Sequence, residues 1–145
     1  MLNFSRITRV AAAVSLLAFG GCSTLPTYEP AATEKTVNVQ LLGYGAPSMC
    51  VDGRKYRLDA KESAGAITTQ IPVGQRVTLS RYMTYAGYQV TSSCNPSLSL
   101  IPKEGVGVIL NTGLADGRCF IEVVREDRAR DTGVALEPTV GPPAC

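Results

Sequence analysis

From Thr36 onwards apolar residues recur at every second position, the period of a half-buried strand rather than of a helix. Val37, Val39 and Leu41 alternate with Thr36, Asn38 and Gln40, which predicts a first strand to about Leu42, ended by Gly43, Gly45 and Pro47. Asp52-Gly53 reads as a turn before a short strand at Lys55 to Leu58. Asp59 to Ala66 reads as a polar connection with room for one helical turn, and Ile67 to Ile71 as a further strand. The strongest pattern is Gln75 to Tyr85, where Val77, Leu79, Met83 and Tyr85 face inward and Arg81 is the discordant member of that face. Ala86-Gly87 leads into Tyr88 to Cys94, with Tyr88 and Val90 on one face. Leu98 to Ile101 reads as an edge-like strand. Val106 to Leu110 and Cys119 to Val124 are separated by a loop from Asn111 to Arg118, and Val134 to Leu136 adds a short piece.

These segments predict an all-β fold, a small disulfide-stapled β-sandwich of about seven or eight short strands over residues 36–136. Immunoglobulin-like, transthyretin-like and partly open barrel topologies remain open at this level. No repeat recurs at a constant period, and no segment after Cys22 carries a long helical pattern. Residues 125–131 hold six charges of both signs, the composition of a solvated turn. Beyond them, 137–145 form a Pro-rich tail ending on Cys145, where a cysteine makes sense as a staple on a tail that would otherwise fray.

The opening of the chain follows different rules. Arg6 and Arg9 precede an apolar and small-residue run from Val10 to Gly21, the form of a secretory signal and too short to span a bilayer comfortably. Cleavage after residue 21 leaves 124 residues and takes the formal charge from +2 to zero, because two basic and no acidic residues are lost. A near-neutral product excludes a strongly basic nucleic-acid binder. Its length fits one domain. Residues 22–35 contain Pro26 and Pro30 among Ser, Thr, Ala and Glu, a composition that predicts an extended tether with Tyr28 as a solvated linker residue.

Five cysteines follow the signal: Cys22, Cys50, Cys94, Cys119 and Cys145. Setting Cys22 aside leaves four, an even number that in an exported chain predicts two disulfides. The preferred pairing is Cys94–Cys119 with Cys50–Cys145; Cys50–Cys94 with Cys119–Cys145 competes. A metal cluster is disfavoured, for the chain has no histidine and no CxxC spacing.

Phe19-Gly20-Gly21-Cys22 resembles the lipobox of bacterial lipoproteins, departing from its commonest form by Phe19 in place of Leu. The resemblance covers roughly the first 22 residues. It implies a diacylglyceryl thioether on Cys22, acylation of the new amino terminus and an outer-membrane lipid anchor; two or more acyl chains hold stably where one does not. Ser23 stands where Asp would favour inner-membrane retention, which by the same resemblance points to the outer membrane, facing the periplasm.

Absence of histidine removes Ser-His-Asp and Cys-His catalysis. Ser63 near Lys61, and the carboxylates Asp52, Asp59 and Glu62, fit polar loops better than a catalytic pair, and the glycines of 43–45 and 105–107 lack the Lys-Ser/Thr of a phosphate-binding loop. The chain therefore reads as a non-enzyme with no cofactor. Binding chemistry is better represented. Tyr82 beside Arg81, and Leu114 with Arg118, are the candidate protein-binding residues, whereas alternation assigns Tyr85 and Tyr88 to the core.

A lipobox, a short tether, a strand-rich domain of this size and paired cysteines together resemble small envelope lipoproteins of secretion or cell-wall machines, including the TssJ-like lipoproteins of type VI secretion. That resemblance implies docking onto another, unidentified envelope protein. The alternative is a periplasmic enzyme inhibitor of the lysozyme-inhibitor kind, or a glycan-binding lipoprotein.

Overall fold

The computed structural model describes residues 24–63 and 66–145; the signal and the lipidation position Cys22 lie outside them. Eleven strands are present: β1 Thr36–Gly43, β2 Ala46–Val51, β3 Arg54–Arg57, β4 Lys61–Ser63, β5 Ala66–Pro72, β6 Val77–Ala86, β7 Thr91–Cys94, β8 Ser97–Leu100, β9 Val108–Ala115, β10 Arg118–Glu126 and β11 Val134–Leu136. One sheet has the order β11-β10-β9-β1-β5-β4. The other runs β3-β2-β6, and β7 and β8 share the remaining side of β6.

Eleven strands replace the expected seven or eight: two unexpected strands form, and a third difference lengthens a hairpin. β2 forms although Pro47 interrupts its sequence signal: it pairs with β6 from Ala46↔Tyr82 to Cys50↔Thr78. The polar connection expected to hold a helical turn contains β4, an edge strand on β5. The expected loop 111–118 is mostly strand, since β9 and β10 pair from Val108↔Arg125 to Ala115↔Arg118 and leave Asp116-Gly117 as the turn. Asp116 and Gly117 both take positive φ (50° and 73°), as do Asp52 and Gly53, which fits two-residue hairpins whose twist matches the strands.

Val37, Val39 and Leu41 on β1 are buried, as their alternation requires, and pack with Ile71, Val108, Leu110 and Val123 of the same sheet. Met49, Val51, Val77, Leu79, Leu98 and Leu100 from the second sheet complete one apolar cluster between the two layers. At about 25 cal/mol per Å² of apolar area, this shared burial is the main force holding the sheets together.

Both outer edges of the smaller sheet receive added chain. Residues 26–28 lie along β3, through Arg57 N–H donating to Pro26 and Tyr28 N–H donating to Arg57 (2.8 and 2.9 Å). Tyr28 thus departs from the solvated-linker expectation: it packs on the core cluster and meets Tyr56 edge-on at 5.8 Å. At the other edge Gly141 exchanges both backbone bonds with Ser99 of β8 (2.9 Å each), and Arg76 donates to Ser99 Oγ and the Thr139 carbonyl. Cys145 is joined to Cys50 and Cys94 to Cys119, with Cα separations of 6.1 and 6.5 Å. The first bond fixes the tail across the outer face of β2 and β6, where Ala144 N–H donates to Thr78 Oγ1.

Candidate functional site

Register places three connections at one end of the domain: the β1–β2 loop at Tyr44, the β6–β7 hairpin beyond Tyr82, and the tip of the β9–β10 hairpin. We call this the upper end. Among the described residues, seven of the ten exposed large apolar side chains belong to it: Leu42, Tyr44, Ile67, Tyr82, Tyr88, Val90 and Leu114. The other three, Leu25, Leu136 and Val140, do not. Apolar exposure concentrated in this way, unlike scattered single residues, marks an interaction surface.

The β1–β2 loop is held from beneath. Arg81 is only 3% exposed, and its guanidinium donates to the carbonyls of Gly45 (2.9 and 3.1 Å) and Leu42 (3.3 Å). Thr112 Oγ1, from the opposite sheet, donates to the Tyr44 carbonyl at 3.1 Å, with the Leu42 carbonyl sharing the same proton at 3.4 Å. The carbonyls of Leu42, Tyr44 and Gly45 thereby all find donors within the protein. Gly43, at φ 75°, admits the close approach to Thr112 that a side chain would block. Tyr44 is accordingly presented on a fixed loop. Burial lowers the pKa of Arg81 from its ordinary value, and arginine nonetheless stays charged at neutral pH.

The two hairpins are tied together by Cys94–Cys119, which links the base of the β6–β7 hairpin to β10 near the tip of the β9–β10 hairpin. Gly87 N–H donates to the Val90 carbonyl at 2.7 Å, making Tyr88 and Gln89 the apex of the β6–β7 turn. Tyr88 is 99% exposed, which corrects its assignment to the core, and Val90, expected on the same face, also meets solvent. Alternation failed there because the chain reverses between Gly87 and Val90. Tyr85 is half-buried on the inner face.

Of the expected binding residues, Tyr82 is 52% exposed on the outer face, and Leu114 and Arg118 stand exposed on the β9–β10 hairpin. Arg81 is a correction: it points inward and builds the surface without forming part of it, since its bonds go to backbone carbonyls under Tyr44. Tyr44, Tyr88 and Val90 complete the upper end, and the sequence signal that could have singled out the latter two was Gly87 as a turn former.

The residues considered for catalysis do not gather at this end. Asp52 occupies the β2–β3 turn and Glu62 is exposed on β4. Asp59 and Lys61 line a cleft of about 360 Å³ with Tyr28, Asn38 and Gln70. Tyr28 places its hydroxyl in a buried position without a hydrogen-bond partner; burial first, then the Glu34 carboxylate, raise its pKa above the usual phenol value.

The described amino-terminal end emerges away from the exposed tyrosines. Leu25 lies beside Cys50, Lys55, Thr78 and Cys145, in the lower half of the smaller sheet. Along β6 at strand rise, Thr78 is roughly 13 Å from Tyr82 and roughly 26 Å from Ala86, which leads into the Tyr88 turn. Comparison with protein-family models, curated proteins and solved structures produced no significant match.

Proposed function

We propose that this chain is a non-catalytic, lipid-anchored docking module of a cell-envelope assembly, of the class that includes secretion machines, carried on a disulfide-stapled β-sandwich. Cys22 holds it in the outer membrane on the periplasmic side, and the upper end binds another envelope protein. One observation carries the reading: the exposed apolar surface extends from Tyr82 and Tyr44 to the Tyr88 turn, along β6 away from the place where Leu25 lies, and the lipid is attached three residues before Leu25. An apolar surface turned away from the anchor is placed to meet protein rather than the anchoring bilayer.

Its size suits that task. Tyr44, Tyr82 and Tyr88 together expose the equivalent of about two whole tyrosines, on the order of 300–500 Å². Leu42, Val90 and Leu114 bring the surface towards the roughly 800 Å² that one partner contributes to a stable complex. Tyrosine side chains, with only two χ angles, also lose little conformational entropy on binding. Leu114 supplies an apolar anchor, and Arg118 at the rim is a directional donor for a carboxylate.

Two measurements test the proposal. Intact-mass analysis of the protein from membranes should show a lipid adduct on Cys22, and its absence would defeat the anchoring. Affinity capture from solubilised membranes should recover a stable envelope assembly with wild type and with Leu136→Ser, but lose it at least tenfold with Tyr82→Ala/Tyr88→Ala. Recovery instead of a soluble muramidase whose activity the protein blocks would establish the inhibitor alternative.

A further inference from the structure

Resting on the docking reading, the backbone directions on β6 identify the form of partner that fits. β2 accompanies β6 only as far as Ala46↔Tyr82, where Gly45 carries the chain across to the other sheet, while β6 continues to Ala86 paired with β7 alone. Even-numbered residues of β6 direct their backbone groups to the β2 side: the Tyr82 carbonyl lies against Gly45, whereas Pro47, opposite Arg81, turns its own carbonyl away to accept from Leu58 N–H. Odd-numbered residues turn the other way, as Arg81 N–H donates to Pro96 and Gly87 N–H to Val90. By the two-residue period, Thr84 and Ala86 aim their N–H and C=O groups at the vacated line above Ala46. Both residues are exposed.

The other sheet edges are short, charged, cross-linked or bridged. β3 carries Arg54, Lys55 and Arg57 and is bonded at Arg57 by residues 26–28, β8 is bridged at Ser99 by Gly141, and the four-residue β7 is cross-linked at Cys94 to β10. β4 is three residues long and carries Lys61 and Glu62, and β11 is equally short and runs into Glu137-Pro138. Such short, charged or covered edges resist strand pairing. The upper β6 edge has neither charge nor proline, and Tyr82 on the outer face and Tyr85 on the inner face flank it.

We propose that Thr84 and Ala86 accept an extended segment of a partner protein as an added β-strand in line with β2. The segment spans at least four residues and carries apolar side chains at alternate positions, which pack on the flanking tyrosines while its backbone pairs with β6. A second copy of this chain does not fit the anchored protein. Antiparallel self-pairing of β6 through a twofold axis would invert one copy and send its amino-terminal end away from the membrane that holds the other.

The test uses the full-length chain solubilised from membranes and a ten-residue peptide alternating Ile and Thr. A control peptide carries N-methyl groups on alternate residues, blocking its pairing edge. The unmodified peptide should bind at least tenfold more tightly than the control and slow amide exchange at Thr84 and Ala86 at least tenfold. Ala86→Pro removes an outward N–H without removing a bond to β7, and should weaken binding at least tenfold. Equal binding of the two peptides, or unchanged exchange at Thr84 and Ala86, would overturn the proposal. These wild-type readouts decide the matter even should the proline variant misfold. A concentration-dependent dimer lost in a folded Ala86→Pro variant would also overturn it. Should Tyr82→Ala/Tyr88→Ala abolish envelope capture while a folded Ala86→Pro preserves it, strand addition fails and docking stands; loss of capture in neither variant defeats the docking reading itself.

Discussion

Arg81 grips Gly45 through two nitrogens of one guanidinium, Nε at 3.1 Å and Nη2 at 2.9 Å from the same carbonyl oxygen. A buried cation satisfied by backbone alone is a costly way to fasten a loop, and breaking it leaves carbonyls unpaired. Arg81→Ala is expected to lose about 2–4 kcal/mol in denaturant unfolding. Amide exchange across 43–45 should accelerate beyond what the global loss explains. Arg81→Lys should recover little of either, because an ammonium lacks the planar fork. Full stability in Arg81→Ala would remove this residue from the account of the loop.

A second prediction separates two glycines of nearly equal φ. At Gly43 an added Cβ would overlap the Thr112 carbonyl, whereas nothing lies within 4 Å at Gly53. Left-handed strain alone costs about 1–2 kcal/mol. Gly53→Ala should show that and no more in thermal or urea unfolding. Gly43→Ala should exceed it by at least about 2 kcal/mol, because β1 and β9 must separate. Similar losses at the two sites would contradict the packing described at the upper end.

The cross-links act on loops of different length. Sequence separations of 95 for Cys50–Cys145 and 25 for Cys94–Cys119 correspond, in the chain-entropy model, to about 4.7 and about 3.5 kcal/mol. Paired serine substitutions should rank the same way in unfolding. Their local effects should differ as well: loss of Cys50–Cys145 should speed exchange of the Gly141 amide, and loss of Cys94–Cys119 should loosen the two hairpins while leaving Gly141 protected. The reverse pattern would disprove the assigned roles.

Local patterning carried much of this fold. Val37, Val39 and Leu41 identify β1 because they alternate against polar neighbours, and Val77, Leu79 and Met83 identify the inner face of β6 in the same way. Both disulfides join the cysteines of the first pairing considered. β2 was hidden because Pro47 resembles a terminator, although its backbone carbonyl still accepts from Leu58 N–H. The continuation of β9 through Asn111-Thr112-Gly113 looked like a loop, yet Gly113 sits in a strand beneath the Phe120 ring, where a Cβ would come within 2.8 Å of it. The candidate site was legible only in part. Tyr82, Leu114 and Arg118 were accessible to local reasoning, but the inward course of Arg81 and the gathering of Tyr44 with Tyr88 depend on contacts between residues far apart in sequence.

Tyr28 offers a pH-dependent test. Its folded-state pKa is raised by burial, then by Glu34, so the folded form retains a proton that the unfolded chain releases. Its stabilising contribution is intact below the unfolded pKa of about 10 and is lost as pH rises above that value. Tyr28→Phe should flatten the decline in stability above about pH 10. At neutral pH it should be neutral or raise stability by up to about 1 kcal/mol, since it removes a buried hydroxyl without a partner. A loss larger than about 1 kcal/mol at neutral pH would mean that the hydroxyl contributes a favourable interaction after all.

The most direct test of docking compares the two ends of the domain in living cells. A photo-crosslinking residue replaces Tyr88 at the upper end or Leu136, which is also largely open to solvent but outside that end. The account predicts that position 88 forms a discrete adduct with one envelope protein, at least tenfold stronger than any adduct from position 136. Adducts from position 88 to lipid alone, or adducts of equal strength from both positions, would contradict it.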